Sequence, residues 1–451
     1  MSKNEPLGVW LEGTHIADLT TKGGSIRCRY TDEARSLAPT GSPLISCSLP
    51  LSTGRPNATA FCVGLLPEGQ HRLAMAALAK IPANDTFGLL RRFGKDVAGA
   101  LVISPDPPEL RPGSVEPYTG DTLAAEVAGL PNRSLALYDD SELSLPGLQD
   151  KLLLVRLPDG GWGRPVHGSP STHILKLDDL QRPGLVAAEA DCLRLADHVG
   201  ISASHPELVE LGGRRCLVVE RFDRRTEPDG TVVRVHQEDA CQALGRSPEA
   251  NRGRGKYQAA GGPSLSEIAG ILDKWAPDVR VEQARLLRST VFNVMVGNAD
   301  AHGKNLALFH PDPGSVVLAP LYDTVPTALW PKLRPEMAMS VGGKWVNIRP
   351  DDLINEARSW GMGGFEARRV VEEVTERLAS APSELDLSID VAELVSSRSK
   401  AMLDALRAPG VPTKTTVGGQ GRRPAGSPSG GQFSSRSTPE STARLDLPGD
   451  G

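Results

Sequence analysis

The sequence lacks a cysteine pattern, a long apolar run and a strong net charge, and each absence removes a class of protein. Its six cysteines include no CxxC pair, and none has a histidine at the spacing of a zinc ligand. No run of 18 or more apolar residues occurs, so no membrane-spanning helix is predicted. The formal net charge of −5 excludes a polycationic nucleic-acid coat protein.

The first residues also lack the apolar stretch of a secretory signal. Cysteines without a pairing pattern are typical of a reducing compartment. We therefore expect a cytoplasmic protein whose thiols are reduced and mostly buried. With 39% hydrophobic residues the chain can bury a substantial core, and its 451 residues predict two or three domains.

Two segments have compositions that do not suit a packed core. Residues 409–451 contain nine Gly, six Pro and six Ser, which predicts a disordered tail. Five prolines lie between Ser104 and Pro117, which predicts a linker or an extended crossing. The expected division is a small α+β subdomain, a Pro-rich linker, a larger core and the tail, over residues 1–103, 104–143, 144–408 and 409–451.

Periodicity predicts mixed helix and strand. In the first subdomain we expect strands over 8–14 and 26–30, a helix ending at Lys80 and a second helix, capped by Asp85, over 86–93. The core begins with strands and ends with helices. Its expected strands cover 152–157, 172–177 and 216–222, and its expected helices cover 186–199, 264–275, 282–296, 366–379 and 391–406. The pattern predicts an α+β fold with a strand-rich lobe up to about residue 225 and a helical lobe after it.

The loop at 297–305 is the most informative stretch. Asp300 is followed five residues later by Asn305, which is the spacing of a kinase catalytic loop. In that chemistry the Asp accepts a hydroxyl proton and the Asn holds a metal ion. The spacing alone is common, so a turn or a helix cap remains the alternative.

A predicted hairpin over 306–321 then returns the chain to Asp323. Kinases present their metal-binding Asp in this way. Asn305 and Asp323 together would offer Mg²⁺ two oxygen ligands, and this ion takes few protein ligands when phosphates supply the rest. The alternative is that Asp323 caps the next segment.

The residues upstream of this loop also follow the order of functional groups found in kinases. Lys176 lies in an apolar strand and Glu189 in the next helix, which suits a phosphate-binding Lys with its ion-pair partner. The alternative is a snorkelling Lys on an edge strand. An adenine hinge would fall at residues 220–222, after a strand. The phosphate-covering loop would precede the first core strand at residues 144–151, although one glycine makes it neither GxGxxG nor a Walker A loop.

These segments resemble the HipA family of bacterial serine/threonine kinase toxins over roughly residues 5–408. In the N-terminal part the resemblance rests on residues 43–51, 64–69 and 93–101. In the core it rests on residues 144–151, 173–177, 219–224, 237–239, 300–305 and 322–323. The Pro/Gly-rich tail is not part of the family pattern.

The resemblance implies a two-lobed protein-kinase-like fold with a mainly helical C-terminal lobe, preceded by the small α+β subdomain. It implies that Asp300 is the catalytic base, that Asn305 and Asp323 bind Mg²⁺, and that Ser144 is autophosphorylated. Glu189 is the implied ion-pair partner of Lys176. The implied ATP-binding residues are Pro146, Gly147, Leu148, Gln149, Asp150, Lys151, Lys176, Glu220, Arg221, Phe222, His302, Lys304 and Tyr322. Leu148 and Asp150 depart from the family, which usually has a small residue and often Glu there.

The implied activity is transfer of the ATP γ-phosphate to a Ser or Thr of a protein, with an aminoacyl-tRNA synthetase as the leading target. A HipB-like helix-turn-helix antitoxin is the implied partner, with DNA contacted only through it and no membrane involved. Two alternatives stay open. Aminoglycoside and sugar kinases also use an Asp-x-x-x-x-Asn loop, although the 1–103 segment disfavours them. A non-catalytic nucleotide-switched protein is disfavoured because Asp300, Asn305 and Asp323 are all present.

Overall fold

The structure is a computed structural model that describes residues 5–108, 114–130, 151–178 and 181–408. The segment expected to be a disordered tail, 409–451, lies outside the described residues. So do Ser144 and residues 146–150 of the expected phosphate-covering loop. No helix in the described ranges is long and apolar enough to cross a membrane.

The N-terminal module consists of a four-stranded antiparallel sheet and the helices packed on it. Its strands are β1 Leu7–Leu11, β2 Thr14–Lys22, β3 Ser25–Tyr30 and β4 Leu101–Ser104, in the order β3-β2-β1-β4. Its helices are α1 Asp32–Leu37, α2 Thr59–Gly64, α3 Gly69–Ala79 and α4 Thr86–Phe93. The predicted cap of α4 is confirmed, because the Asp85 carboxylate accepts a hydrogen bond from the Gly88 amide at 2.8 Å.

The first lobe is a six-stranded sheet with a helix on each face. Its strands are β5 Ser114–Pro117, β6 Lys151–Arg156, β7 Trp162–Val166, β8 His173–Leu177, β9 Pro206–Leu211 and β10 Arg214–Glu220, in the order β5-β7-β6-β8-β10-β9. The helices are α5 Gly120–Gly129 and α6 Leu185–His198. Because side chains alternate across a strand, Leu175 and Leu177 pack in the same core as α5, and Lys176 points to the opposite face.

Part of the segment predicted as a linker belongs to this lobe. Within 104–143, where we expected a linker or an extended crossing, the described residues include the extended edge strand β5 and the helix α5. Proline is compatible with β5 because the strand lies at an edge of the sheet and Pro117 is its last residue. Helix α5 is capped by Thr119 and buries Leu123 and Val127, a short amphipathic signal that the neighbouring prolines obscured.

The second lobe is mainly helical. Its helices are α7 Ala240–Ala243, α8 Ala250–Gly253, α9 Leu265–Trp275, α10 Val279–Val296, α11 Pro350–Ser359, α12 Gly364–Glu384 and α13 Ile389–Arg407. Its strands are the pair β11 Arg224–Thr226 and β12 Val232–Arg234, and the sheet β13 Gln237–Asp239, β14 Ala307–Phe309 and β15 Val317–Leu318. Helix α10 packs against α12 and α13 in the largest core cluster. The predicted α+β class is confirmed.

Buried charges join the N-terminal module to the end of β10. Asp96, which is fully buried, lies 2.7 Å from Arg224. Arg221 lies 2.8 Å from Asp223, which also accepts a hydrogen bond from the Gly99 amide at 2.7 Å. The guanidinium groups beside Asp96 hold the pKa of its carboxyl below its usual value, although burial acts in the opposite sense. The module is therefore fixed to the segment that carries the predicted adenine hinge.

Candidate active site

A cavity of about 1250 Å³ is lined by both lobes and by Glu68 and Ala98 of the N-terminal module. Every predicted site residue that the structure describes lies on its wall. They are Lys151, Lys176, Glu189, Glu220, Arg221, Phe222, Asp300, His302, Lys304, Asn305, Tyr322 and Asp323. Ser144, Pro146, Gly147, Leu148, Gln149 and Asp150 lie outside the described residues.

Lys176 is held between two carboxylates. Its Nζ lies 2.7 Å from Glu189 Oε1 and 2.7 Å from Asp323 Oδ1. Burial disfavours the ammonium form, but Asp323 and Glu189 outweigh this effect and raise the pKa of Lys176 above its usual value. Lys176 is therefore charged at neutral pH, as a phosphate-binding group must be.

Asp323 follows the β14–β15 hairpin with its backbone in a strained conformation. Its φ is +49°, in the left-handed region that residues other than glycine rarely adopt. Burial acts against its charge, but Lys176 lowers the pKa of the carboxyl well below its usual range. Backbone strain of this kind concentrates at functional sites, where the surrounding structure compensates for its cost.

Asn305 and Asp323 provide the donor chemistry that Mg²⁺ prefers. The Asn305 side-chain amide donates to the Asp300 carbonyl at 3.1 Å, which leaves its Oδ1 available as a ligand atom. In the described ranges, no three His, Cys, Asp or Glu side chains could hold a metal ion among themselves. Amide and carboxylate oxygens with an incomplete protein shell suit Mg²⁺ that is also bound by phosphate and water.

The loop that carries Asp300 is fixed on both sides. Helix α10 is capped at its C-terminal end by Gly297, whose φ is +71° and where an added Cβ would lie 2.7 Å from Ala328. The Ala299 amide donates to Thr327 Oγ1 at 2.8 Å. The Tyr257 hydroxyl donates to Asp300 Oδ1 at 2.8 Å. Desolvation by the cavity walls raises the pKa of the exposed Asp300 carboxyl, and the Tyr257 hydrogen bond limits that rise.

Two other residues of this loop are almost fully buried. Burial, reinforced by the nearby charge of Lys256, lowers the pKa of His302 to about 3, so its ring is neutral. Lys304 Nζ lies 2.7 Å from Asp239 and 3.1 Å from the carbonyl oxygen of Gly64. The ammonium group of Lys304 therefore links the loop to the N-terminal module.

The three side chains of the expected adenine hinge, residues 220–222, have different environments. The Arg221 guanidinium is buried and donates to Asp223 and to Ser171 Oγ, at 2.8 Å in each case. The Phe222 ring packs 5.0 Å from the Tyr322 ring, on the cavity wall. Glu220 is exposed, as the last residue of β10.

Among the cavity residues that sequence reasoning missed, three form contacts that reach the loop of Asp300. They are Tyr257, which donates to Asp300, and the ion pair of Lys256 with Glu68, whose Nζ and Oε2 lie 2.9 Å apart. Glu68 lies in a segment that carries the family resemblance, but 188 residues separate it from its partner. The sequence around Glu68 and around Lys256 contains no motif or periodic spacing that predicts their ion pair.

Two family profiles match the chain. The profile described as "HipA N-terminal domain" matches residues 7–104, and the one described as "HipA-like C-terminal domain" matches residues 143–382. Together they include both sides of the cavity.

Individual relatives agree with these profiles. The chain is 37% identical over 407 residues to "Putative kinase Y4mE" of Sinorhizobium fredii, which covers 86% of this chain and 94% of that protein. It is 32% identical over 312 residues to "Serine/threonine-protein kinase toxin HipA" of Shewanella oneidensis, covering 67% of this chain and 70% of that protein. The solved complex of Shewanella oneidensis HipA with HipB and operator DNA gives a TM-score of 0.72 at 25% identity, over 89% of this chain and 96% of that chain.

Proposed function

The chain belongs to the HipA family of kinases, and on that premise we propose that it transfers the γ-phosphoryl group of ATP to a Ser or Thr hydroxyl of a protein. One observation carries the proposal. Lys176 lies within 2.7 Å of both Glu189 and Asp323, and Asp300 lies on the wall of the same cavity. A phosphate-binding cation, a metal-binding carboxylate and a base are the parts that phosphoryl transfer needs.

Asp300 is the proposed base. Its carboxylate would accept the proton of the acceptor hydroxyl and orient the oxygen for attack. The Tyr257 hydroxyl holds one carboxylate oxygen at 2.8 Å, so the other oxygen remains for the acceptor. The fixed loop on either side supports this orientation, since positioning contributes much of the rate in such enzymes.

The nucleotide is proposed to lie between Lys176 and the segment Glu220–Phe222. Lys176 and Lys151 would bind its phosphates, with residues 146–150 covering them, and Phe222 and Tyr322 would contact the base. His302 and Lys304 would complete the wall. Asn305 and Asp323 would hold Mg²⁺, whose charge neutralises phosphate oxygens in this chemistry.

The HipA resemblance supports autophosphorylation of Ser144 as the regulatory step. Ser144 precedes in sequence residues 146–150, which are proposed to cover the phosphates, and its modification is proposed to eject that loop and silence the kinase. The same resemblance supports an aminoacyl-tRNA synthetase as the leading target.

A HipB-like helix-turn-helix antitoxin is the proposed partner. The similar Shewanella oneidensis HipA was solved with HipB and operator DNA. The net charge of −5 suits a chain that contacts DNA only through such a partner.

Transfer from radiolabelled ATP to a degenerate library of Ser and Thr peptides tests the activity. We expect labelled peptide with the wild type and a loss of about 10³-fold in Asp300→Asn, within the range for removal of a general base. Nucleotide affinity should persist in that variant. Asp312→Asn, which changes an exposed Asp in the β14–β15 turn, is the matched control and should retain activity. Label found on an aminoglycoside or a sugar instead of a peptide would overturn the acceptor class.

A further inference from the structure

Glu68 stands at the N-terminal end of α3, yet its side chain does not cap that helix. Its backbone is extended and its carboxylate makes no hydrogen bond to the first turn. Gly69 follows with φ +56°, a left-handed conformation that glycine adopts readily. The carboxylate is directed instead to the cavity, where Oε2 lies 2.9 Å from Lys256 Nζ.

The other oxygen of Glu68 lacks a partner. The side chain is only 9% exposed, and Oε1 accepts no hydrogen bond from any part of the chain that the structure describes. Buried carboxylate oxygens are rarely left unpaired in native proteins, because desolvation is then uncompensated. Glu68 lines the cavity, so a ligand that reaches Oε1 with a hydrogen-bond donor would satisfy this oxygen.

A nucleotide phosphate does not suit that position. Phosphate oxygens are anionic acceptors, so a carboxylate repels them and offers no proton to them. The positive charge of Lys256 is already neutralised by its ion pair with Glu68, so it does not attract a phosphate to this position. The free oxygen therefore suits a neutral donor, such as the backbone N–H of a polypeptide.

Direct contacts lead from Glu68 to the proposed base. Its partner Lys256 is followed by Tyr257, whose hydroxyl donates to Asp300 Oδ1 at 2.8 Å. The Lys256 carbonyl oxygen also accepts a hydrogen bond from the Gly303 amide, within the loop that carries Asp300, at 3.1 Å. A polypeptide bound at Glu68 would therefore lie on the wall that presents the base.

We propose that Glu68 is an acceptor-binding residue, and that its Oε1 accepts a hydrogen bond from a backbone N–H of the protein segment to be phosphorylated. This inference rests on the proposed kinase function and extends it. The N-terminal module then forms one wall of the acceptor site, in addition to its buried contacts with the hinge.

The variant Glu68→Gln tests the proposal. In this variant the amide oxygen of the introduced Gln would keep the hydrogen bond from the Lys256 ammonium. The amide NH₂ would then take the place of Oε1, and because it is a donor it could not accept the N–H of the bound peptide. With the most active Ser peptide from the degenerate library as the probe, KM for the peptide should rise about tenfold or more, as expected for one hydrogen bond to a charged group. KM for ATP should stay within about twofold. Glu33→Gln, an exposed glutamate in α1, is the matched control.

A second variant separates acceptor binding from a merely structural ion pair. Glu68→Gln combined with Lys256→Met removes both buried charges and leaves neither unpaired, so it also guards against a folding defect of the single variant. A peptide KM that remains raised in the double variant supports the proposal. Recovery of the wild-type KM, or an unchanged KM in Glu68→Gln, would overturn it while leaving the kinase assignment intact. A wild type that transfers phosphate to no peptide would remove both.

Discussion

The two ends of the cavity differ in how their charges are paired. At the end where we propose that the nucleotide binds, which we call the nucleotide end, Lys176 contacts two carboxylates, both supplied by the lobes themselves. At the other end Glu68 comes from the N-terminal module, pairs with Lys256 through one oxygen and leaves the second without a partner. Each arrangement leaves one carboxylate oxygen without a partner among the described residues, Glu189 Oε2 at the first end and Glu68 Oε1 at the second. The two ends therefore differ in how many carboxylates share the lysine.

The same two ends differ in sequence separation. Lys176 and Glu189 are 13 residues apart, on a strand and the next helix, whereas Glu68 and Lys256 are 188 residues apart. Groups close in sequence form a unit that many kinases share. Under our proposal for Glu68, the more distant contact is where this chain would adapt the site to its own acceptor.

Removal of Lys176 should have the largest effect. Lys176→Met should reduce transfer by at least about 10³-fold, since the phosphate contact is lost. It should also lower the free energy of unfolding by roughly 3 kcal/mol, because Glu189 loses its buried partner. Urea unfolding and peptide phosphorylation measure the two effects.

Lys176→Met combined with Glu189→Gln sharpens this result. The double variant should regain the part of the stability that the unpaired Glu189 costs, since a neutral pair needs no ionic partner, although Asp323 still lacks Lys176. It should regain none of the activity. Regained transfer would show that Lys176 serves only to neutralise Glu189.

Asp96→Asn tests whether the N-terminal module is part of the catalytic unit. The change leaves Arg224 and Arg221 with Asp223 as their shared anion and should cost about 3 kcal/mol. Urea unfolding should still show one transition. Asp32→Asn, at an exposed pair in α1, should change stability by less than about 1 kcal/mol. Two separate transitions in the wild type would mean that module and core are independent.

Of these variants, Tyr257→Phe should have the smallest effect on activity. It alters only the end of the cavity where we propose that the acceptor binds. Loss of one hydrogen bond to Asp300 should lower kcat by about tenfold, with KM for ATP unchanged. That hydrogen bond lowers the Asp300 pKa, so its removal should move the acid limb of the pH–rate profile to higher pH. An acid limb that moves to lower pH, or does not move, would contradict the role assigned to Tyr257.

Local chemistry made much of the nucleotide end predictable. Caps and periodicity located α4, α6 and α9, and the strand–helix order placed Lys176 near Glu189. The spacing of Asp300 and Asn305 predicted a catalytic loop, and both residues line the cavity. Strand β5 and helix α5 were missed because prolines at an edge strand resemble a linker.

The acceptor end was not predictable from sequence in the same way. The hydrogen bond between Tyr257 and Asp300 joins residues 43 positions apart, on loops without a periodic pattern. The buried network of Asp96 and the pair of Glu68 with Lys256 depend on how the N-terminal module packs on the core. Tertiary packing determines such contacts, and local propensity does not encode them.

Intact-mass spectrometry after incubation with Mg²⁺-ATP tests the kinase assignment most directly. The wild type should gain the mass of one phosphate, and peptide mapping should locate it at Ser144. Asp300→Asn should bind nucleotide and gain no mass. An equal gain in Asp300→Asn, or a wild type that neither gains phosphate nor consumes ATP, would contradict phosphoryl transfer through Asp300.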